Sequence, residues 1–575
     1  MDINNLLLTP YGYYLDISNG HIYVIEGNYF KNLTTGDILY TEDGKIMTDF
    51  RMGKSTVIID PKNFMGTIIN TTPSPTPSIS RTPSITPSVT ITPTMLLTPS
   101  VTPSITITPT ATITPSITIT PTATITPTAT ITPSITITPT ITQTPSITPS
   151  ASPIAEQWYG YELNEANSSP DVTRIAGSGN MGYHASLPIQ SLMKGCVIND
   201  SGVVQYYLKS DDWTKKADGS ASNLDGTDGQ VMVEIPKFYH KIENPTGVTY
   251  QHKFSLYPIS GFVEIPSFYV APSEAQIQRS NLKGSSVRNL STDYRGGDNN
   301  ATWDALDNTL LGKPATVISL TNFRTYARNR GAKWNVLPYR QTMLIYDLFI
   351  CEYATLNSQK AVNGTLTGNG YKQGGLGNGV TTANGTEWNN FNGYYPFITV
   401  GASDGLANGS GEVTGVTVNN FGGTGQTRTF TVPRYRGIEN LFGHLWEWVD
   451  GASIYHQTTG EGSTHRFYIC DTPANFADGT TTNYDYRGDL PAEGWLKSVT
   501  HDAKGIIIPK TVGGDSATYF CDYYYTPAAG VGYWVGVLRG GAANSGSSAG
   551  FVCVDSYLGA SDTGTSIGSR FCYLP

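Results

Sequence analysis

The chain has 575 residues, of which 38% are hydrophobic and only 14% charged, enough apolar side chain for several folded units. Its 36 basic and 45 acidic side chains leave a net charge of −9, so the bulk electrostatics repel nucleic acid and anionic membrane, and no local basic patch offers a polyanion a site. No window approaches the roughly 20 apolar residues of a membrane span, and the opening MDINNLLLTPYGYYLD carries acidic and Asn residues where a secretion signal needs a basic and then an apolar region.

Residues 1–70 read as a small all-β attachment unit. GYYLDI, HIYVIEG, DILYTEDG and STVIID are short apolar or aromatic runs separated by Asn-Gly, Thr-Gly and Asp-Gly turn signals. Residues 71–153 collapse to Thr, Pro, Ser, Ile and Ala, with prolines six apart from Pro103 to Pro145. Two readings stay open for this repeat. A Ser/Thr/Pro tract is a solvated tether. The unit PSITIT, however, puts Pro, Ile and Ile at every second position, so an extended chain carries one apolar stripe that several parallel copies could bury. A shaft of that kind implies a homo-oligomer, with a trimer as the expected state. Either way the segment is a spacer.

Residues 154–230 read as a β-rich connecting region and 231–575 as an α+β domain. Two helices are expected in it. LTNFRTYARNRG has Ser319 or Thr321 as a cap, Phe323, Tyr326 and Ala327 at helical spacing, and Gly331 as a stop; LPYRQTMLIYDLFICEYA has Pro338 in its first turn and is apolar on most faces, hence buried. The remainder is short strands and Gly-rich loops. The six cysteines are widely spaced and read as buried thiols, with a bridge among Cys521, Cys553 and Cys572 left open.

In GHLWEWVDG, Leu445, Trp446, Trp448 and Val449 are expected in a core, with Glu447 and Asp450 meeting backbone or arginine donors. Arg539 and Arg570, which flank the terminal stretch, are expected to tie down loops. The eight histidines form no H-x-x-x-H or similar spacing, so neither a metal nor a cofactor is expected. GASDG (401–405) and GSSAG (546–550) match G-x-S-x-G, but no helix is expected after either to expose the serine.

The succession VEIPKFYHKIE, the two helices, YRGIENLFGHLWEWVDG and LRGG…AGF…IGSRFCYLP resembles the C-type-lectin-like fold shared by formylglycine-generating enzymes and by the variable proteins that retroelements diversify in phages and bacteria. The enzyme branch uses paired cysteines just after its RGGS-like turn. This chain has RGGAANSGSSAG there, with no cysteine until Cys553, and that departure removes the oxidase chemistry. The resemblance therefore implies a non-enzymatic phage virion protein, a tail fibre or similar appendage. It would bind a bacterial surface glycan or protein through its C-terminal face and other virion proteins through its N-terminal unit, with no nucleic acid and no membrane insertion. A surface-displayed bacterial adhesin and a glycan-degrading fibre enzyme are the alternatives.

Within the terminal stretch, Leu538, Gly540, Gly541, Gly550, Phe551, Val554, Ile567 and Gly568 read as scaffold. Between them lie Ala543, Asn544, Ser545, Ser547, Ser548, Cys553, Asp555, Ser556, Asp562, Gly564 and Ser566, which the resemblance makes the ligand surface.

Overall fold

The computed structural model describes residues 157–361, 374–376, 383–421, 425–502 and 504–575, together with the backbone of six short strands between residues 6 and 46. The chain divides into two units, Met1–Thr138 and Pro139–Pro575. In the first, strands Leu6–Leu8, Tyr14–Asp16, Ile22–Glu26, Tyr29–Asn32, Ile38–Glu42 and Lys45–Ile46 pair each with the next in an antiparallel meander. The expected strand STVIID and the whole 71–153 repeat, with its shaft and trimer, lie outside the described residues.

The described part of the second unit is mostly β with few helices. A seven-stranded sheet runs in the order Asp212–Lys216, Val204–Lys209, Lys194–Ile198, Gln230–Ile235, Phe268–Val270, Phe571–Tyr573, Trp334–Val336. A five-stranded sheet holds Tyr159–Asn164 beside Thr249–Ser255. The boundary expected at residue 230 therefore runs through hydrogen-bonded sheets: Val231 pairs with Val197, and the last strand of the chain lies within the same sheet. Residues 159–230 are β-rich but are not set apart from residues 231–575, because their strands find ladder partners in that later segment.

Both expected helices form. Leu320–Arg328 is capped by Ser319, whose side chain accepts from the Asn322 N–H, and ends at Asn329 rather than at Gly331. Tyr339–Tyr353 starts after Pro338 and ends on Ala354 in the left-handed conformation. Eleven residues of this second helix are buried, and it lies at the centre of the largest apolar cluster, among Phe238, Phe254, Phe467, Leu496, Val499 and Phe551. A third helix, Gly385–Asn392, closed by a capping box of Asn384 and Glu387, has no strong apolar period to mark it in the sequence. Among the described residues no helix is long and apolar enough to cross a membrane. All six cysteines are buried free thiols.

Candidate ligand-binding face

The terminal stretch is built into a nine-stranded sheet. Tyr533–Gly540 lies between Trp446–His456 and Gly550–Asp555, and Ile567–Ser569 pairs in parallel with the start of Trp446–His456. Glu447 stands directly opposite Arg539 in that ladder and is fully buried with it. One of its oxygens accepts from Arg539 Nη2 and the other from Arg570 Nη2 at 2.8 Å. Arg570 also donates to the carbonyls of Ala271, Glu439 and Asn440, and Arg539 to that of Leu441. One carboxylate thus holds two guanidiniums that pin the segment's flanks. Asp450, two strand positions from Trp448, accepts both prongs of Arg324 at 2.7 and 2.9 Å.

All eight scaffold positions are buried. Gly541 adopts φ +77°, where L side chains are strained, and a Cβ there would meet the Ala549 Cβ at 2.8 Å. At Gly550 the carboxylate of Asp522 comes within 1.9 Å of where a Cβ would stand.

Of the eleven expected surface positions, Asn544 and Asp562 are exposed and Ser545, Ser547, Ser548, Asp555, Gly564 and Ser566 are half-buried. Ala543, Cys553 and Ser556 are buried and are removed from the surface set. Ala543 packs with Leu376, Trp388 and Phe397; Cys553 points inward with its strand, beside Asp522; Ser556 donates to the Tyr525 carbonyl at 3.0 Å. Small size and polarity concealed these inward positions. Trp446 is the opposite correction. It stands at the first position of its strand and is only partly buried against two apolar clusters, whereas Trp448 is fully buried.

The structure adds an aromatic row that composition alone did not mark. Strand Tyr523–Tyr525 turns Tyr524 inward and Tyr523 and Tyr525 outward. Its neighbour on one side places Trp495 opposite Tyr523, and its neighbour on the other places Asp555 opposite Tyr525. Trp495, Tyr523, Tyr525 and Trp446 succeed one another at ring-centroid distances of 5.3, 4.5 and 5.9 Å, each partly open to solvent. Exposed Tyr557 donates to Glu493 at 2.8 Å, and Tyr523 donates to the same carboxylate at 3.3 Å. Ser548 lies beside the Tyr525 hydroxyl. The first loop of the terminal stretch, residues 541–549, and the strand that carries Asp555 therefore border one aromatic surface with Glu493 and Asp555 on it.

Burial pushes the Asp555 carboxyl up to about 6; the Tyr557 N–H opposes this and the charge of Glu493 adds to it. Ionising it is harder in the folded chain than in the unfolded one, so its stabilising contribution is complete below about pH 4 and is lost as pH rises through about 6. Asp555→Asn should then stabilise the fold at pH 7 by on the order of 1–2 kcal/mol and leave it unchanged at pH 4. Thermal melts of both proteins at the two pH values check this; equal melting at pH 7 would mean a carboxyl that titrates normally.

A cleft of about 260 Å³ lies beside the second loop of the stretch, residues 556–566, and is lined by Trp534, Asp478, Gly559, Ala560 and Ser561. The described residues of the Gly-rich loops between Gly364 and Gly425 brace the first loop: the Leu376 N–H donates to the Ala543 carbonyl. Neither G-x-S-x-G serine is followed by an α-helix. Ser403 donates to Glu439 at 2.7 Å and accepts from Arg434 at 3.0 Å, and Ser548 ends a 3₁₀ turn. Among the described residues the set with metal-ligand chemistry is His240, His252 and Asp347, where no metal site was expected. Histidine spacing along the chain gave no sign of it because the three come from two strands and a helix.

No protein-family model matches the chain, and no curated protein matches it. Among solved structures it is similar to the Major Tropism Determinant U1 Variant, at 14% identity and a TM-score of 0.16 over 59% of this chain and 72% of that one. The P3c Variant gives 13% identity and a TM-score of 0.17 over the same shares, and the M1 Variant 14% and 0.16 over 59% and 71%. At these scores the likeness carries no argument about how the chain folds or what it binds.

Proposed function

We propose that the chain is a structural protein of a phage virion, a tail fibre or similar appendage, that attaches to a bacterial surface glycan or protein through the face around Tyr523, Tyr525 and the terminal stretch. One observation carries the reading. From Leu538 onward the anchors Leu538, Gly540, Gly541, Gly550, Phe551, Val554, Ile567 and Gly568 are all buried, while eight polar or small positions between them reach solvent. A surface built this way can vary without refolding, since exposed substitutions shift stability by only about 0.5 kcal/mol. That is the demand made of a host-recognition face, and the order of sequence motifs supports a C-type-lectin-like fold diversified by a retroelement. In this reading the N-terminal unit joins other virion proteins, and the repeat holds several copies together. Partly exposed aromatic rings suit sugar faces and protein hot spots alike.

The test is attachment of the full chain to a panel of bacterial strains, beside the triple variant Asn544→Ala, Asp555→Ala, Asp562→Ala. The variant should lose at least about tenfold in cell binding without losing thermal stability. Full binding by the variant would move the site to the loops between Gly364 and Gly425.

A glycan-cleaving enzyme has one observation in its favour, the raised Asp555 carboxyl near Glu493. Against it, Glu493 is engaged by Tyr523, Tyr557 and the Thr526 N–H, which suits an organiser of the aromatic row. Release of reducing ends from bound polysaccharide would reverse this preference.

A further inference from the structure

Three side chains that attachment leaves unused meet in the core. His240 and His252 come from the antiparallel strands Phe238–Glu243 and Thr249–Ser255, where His240 opposes Phe254 and His252 opposes Ile242. The two imidazoles therefore stand diagonally on one face of the sheet. Helix Tyr339–Tyr353 packs here and brings Asp347. All three residues are fully buried, and one ligating atom of each lies within 4.8 Å of the others. His252 Nδ1 is 3.2 Å from Asp347 Oδ1, and His240 Nε2 is 3.8 Å from Asp347 Oδ2.

Hydrogen bonding leaves the inner atoms unanswered. Neither nitrogen of His240, nor Nδ1 of His252, nor Oδ2 of Asp347 has a hydrogen-bond partner in the protein. Orphaned buried polar atoms are costly, and four among three neighbouring side chains need an explanation. Behind them, Tyr161 donates to Asp347 Oδ1 at 2.7 Å and His252 Nε2 meets His501 Nδ1 at 3.0 Å, while His501 Nε2 lies 3.5 Å from Glu165 Oε1 without a hydrogen bond. Tyr161 stacks on His252, Phe254 on His240 and Tyr250 on His501, which fixes the three rings.

A neutral imidazole bears one N–H and one lone pair, so each ring has one nitrogen that can face an ion. With Nε2 of His252 paired to His501, a proton held there leaves the lone pair of Nδ1 toward Asp347.

We infer that His240, His252 and Asp347 form a buried site for one divalent first-row transition-metal ion, with Zn²⁺ the ion best suited to two imidazoles and a carboxylate. Calcium and magnesium prefer all-oxygen sets, whereas this donor set is of the zinc kind. With all three ligands fully buried the ion is a structural staple, joining a hairpin to the central helix, and its binding free energy adds to folding.

The experiment counts metal in the full chain produced with added Zn²⁺, then strips the protein with chelator under mild denaturation and refolds it with Co²⁺. The expected results are one ion per chain, a visible Co²⁺ absorption band, and a melting temperature that rises when Zn²⁺ is returned. His240→Gln and Asp347→Asn should each abolish the band, and His501→Ala should weaken affinity about 10–100-fold. Because a variant could fail by not folding, the unaltered chain decides the matter. A stripped chain that refolds with its original melting temperature and takes up neither Zn²⁺ nor Co²⁺ overturns the proposal, leaving buried water to satisfy the cluster. Undiminished metal in a folded His240→Gln, Asp347→Asn double variant overturns it as well, since the ion would then sit elsewhere.

Discussion

Glu447→Gln is expected to destabilise the second unit by about 3–5 kcal/mol, the cost of breaking a buried ion pair by removing one partner. The amide keeps the shape and removes the charge that two fully buried guanidiniums share. Arg539 and Arg570 would retain their backbone carbonyls, but those are neutral acceptors and leave positive charge uncompensated in a region that cannot hydrate it. Urea unfolding monitored by tryptophan fluorescence measures the loss. A change below about 1 kcal/mol would mean that buried Glu274, whose charge also acts on Arg539, takes over the role. In Glu447→Gln with Arg539→Met the losses should be less than additive, because the second change removes one of the charges that the first strands.

This cluster also marks where sequence reading stops. Aspartate and glutamate are almost never fully buried unless paired, and the partners of Glu447 lie 92 and 123 positions away in the chain. Apolar periodicity and caps work locally, so the two long helices and the eight terminal anchors were legible. Register and long-range pairing are not local. In the run Tyr523–Tyr525 all three residues are identical, and only the pairing with Trp495 and Val554 decides that the middle ring turns inward. The same holds for Trp446 and Trp448, alike in type and two apart, of which only the second is fully buried. The His240, His252 and Asp347 cluster needed a hairpin register and a helix packed over it before its members could be neighbours. The strand pairing across residue 230 was hidden for a related reason: compositional shifts find linkers, but a strand that pairs across an expected boundary has no compositional sign.

Removing both outward rings of the tyrosine strand, Tyr523→Ala with Tyr525→Ala, should weaken attachment to bacterial cells by at least about 100-fold. Aromatic anchors near the centre of an interface contribute about 2 kcal/mol or more each when truncated, and these two lie 4.5 Å apart between Trp495 and Trp446, so they would work as one surface. The fold should survive, because Tyr524 and not its neighbours fills the core, and because the ladder bonds of the strand come from its backbone. Tyr525→Phe separates stacking from hydrogen bonding: it keeps the ring and removes only the hydroxyl that lies beside Ser548, so binding should stay within a few-fold of the original. Circular dichroism and melting of each variant ensure that lost binding is not lost structure. If the double variant is folded and binds the same cells as well as the original, the contact surface is not this row, and the cleft lined by Trp534, Gly559 and Ser561 becomes the place to substitute next.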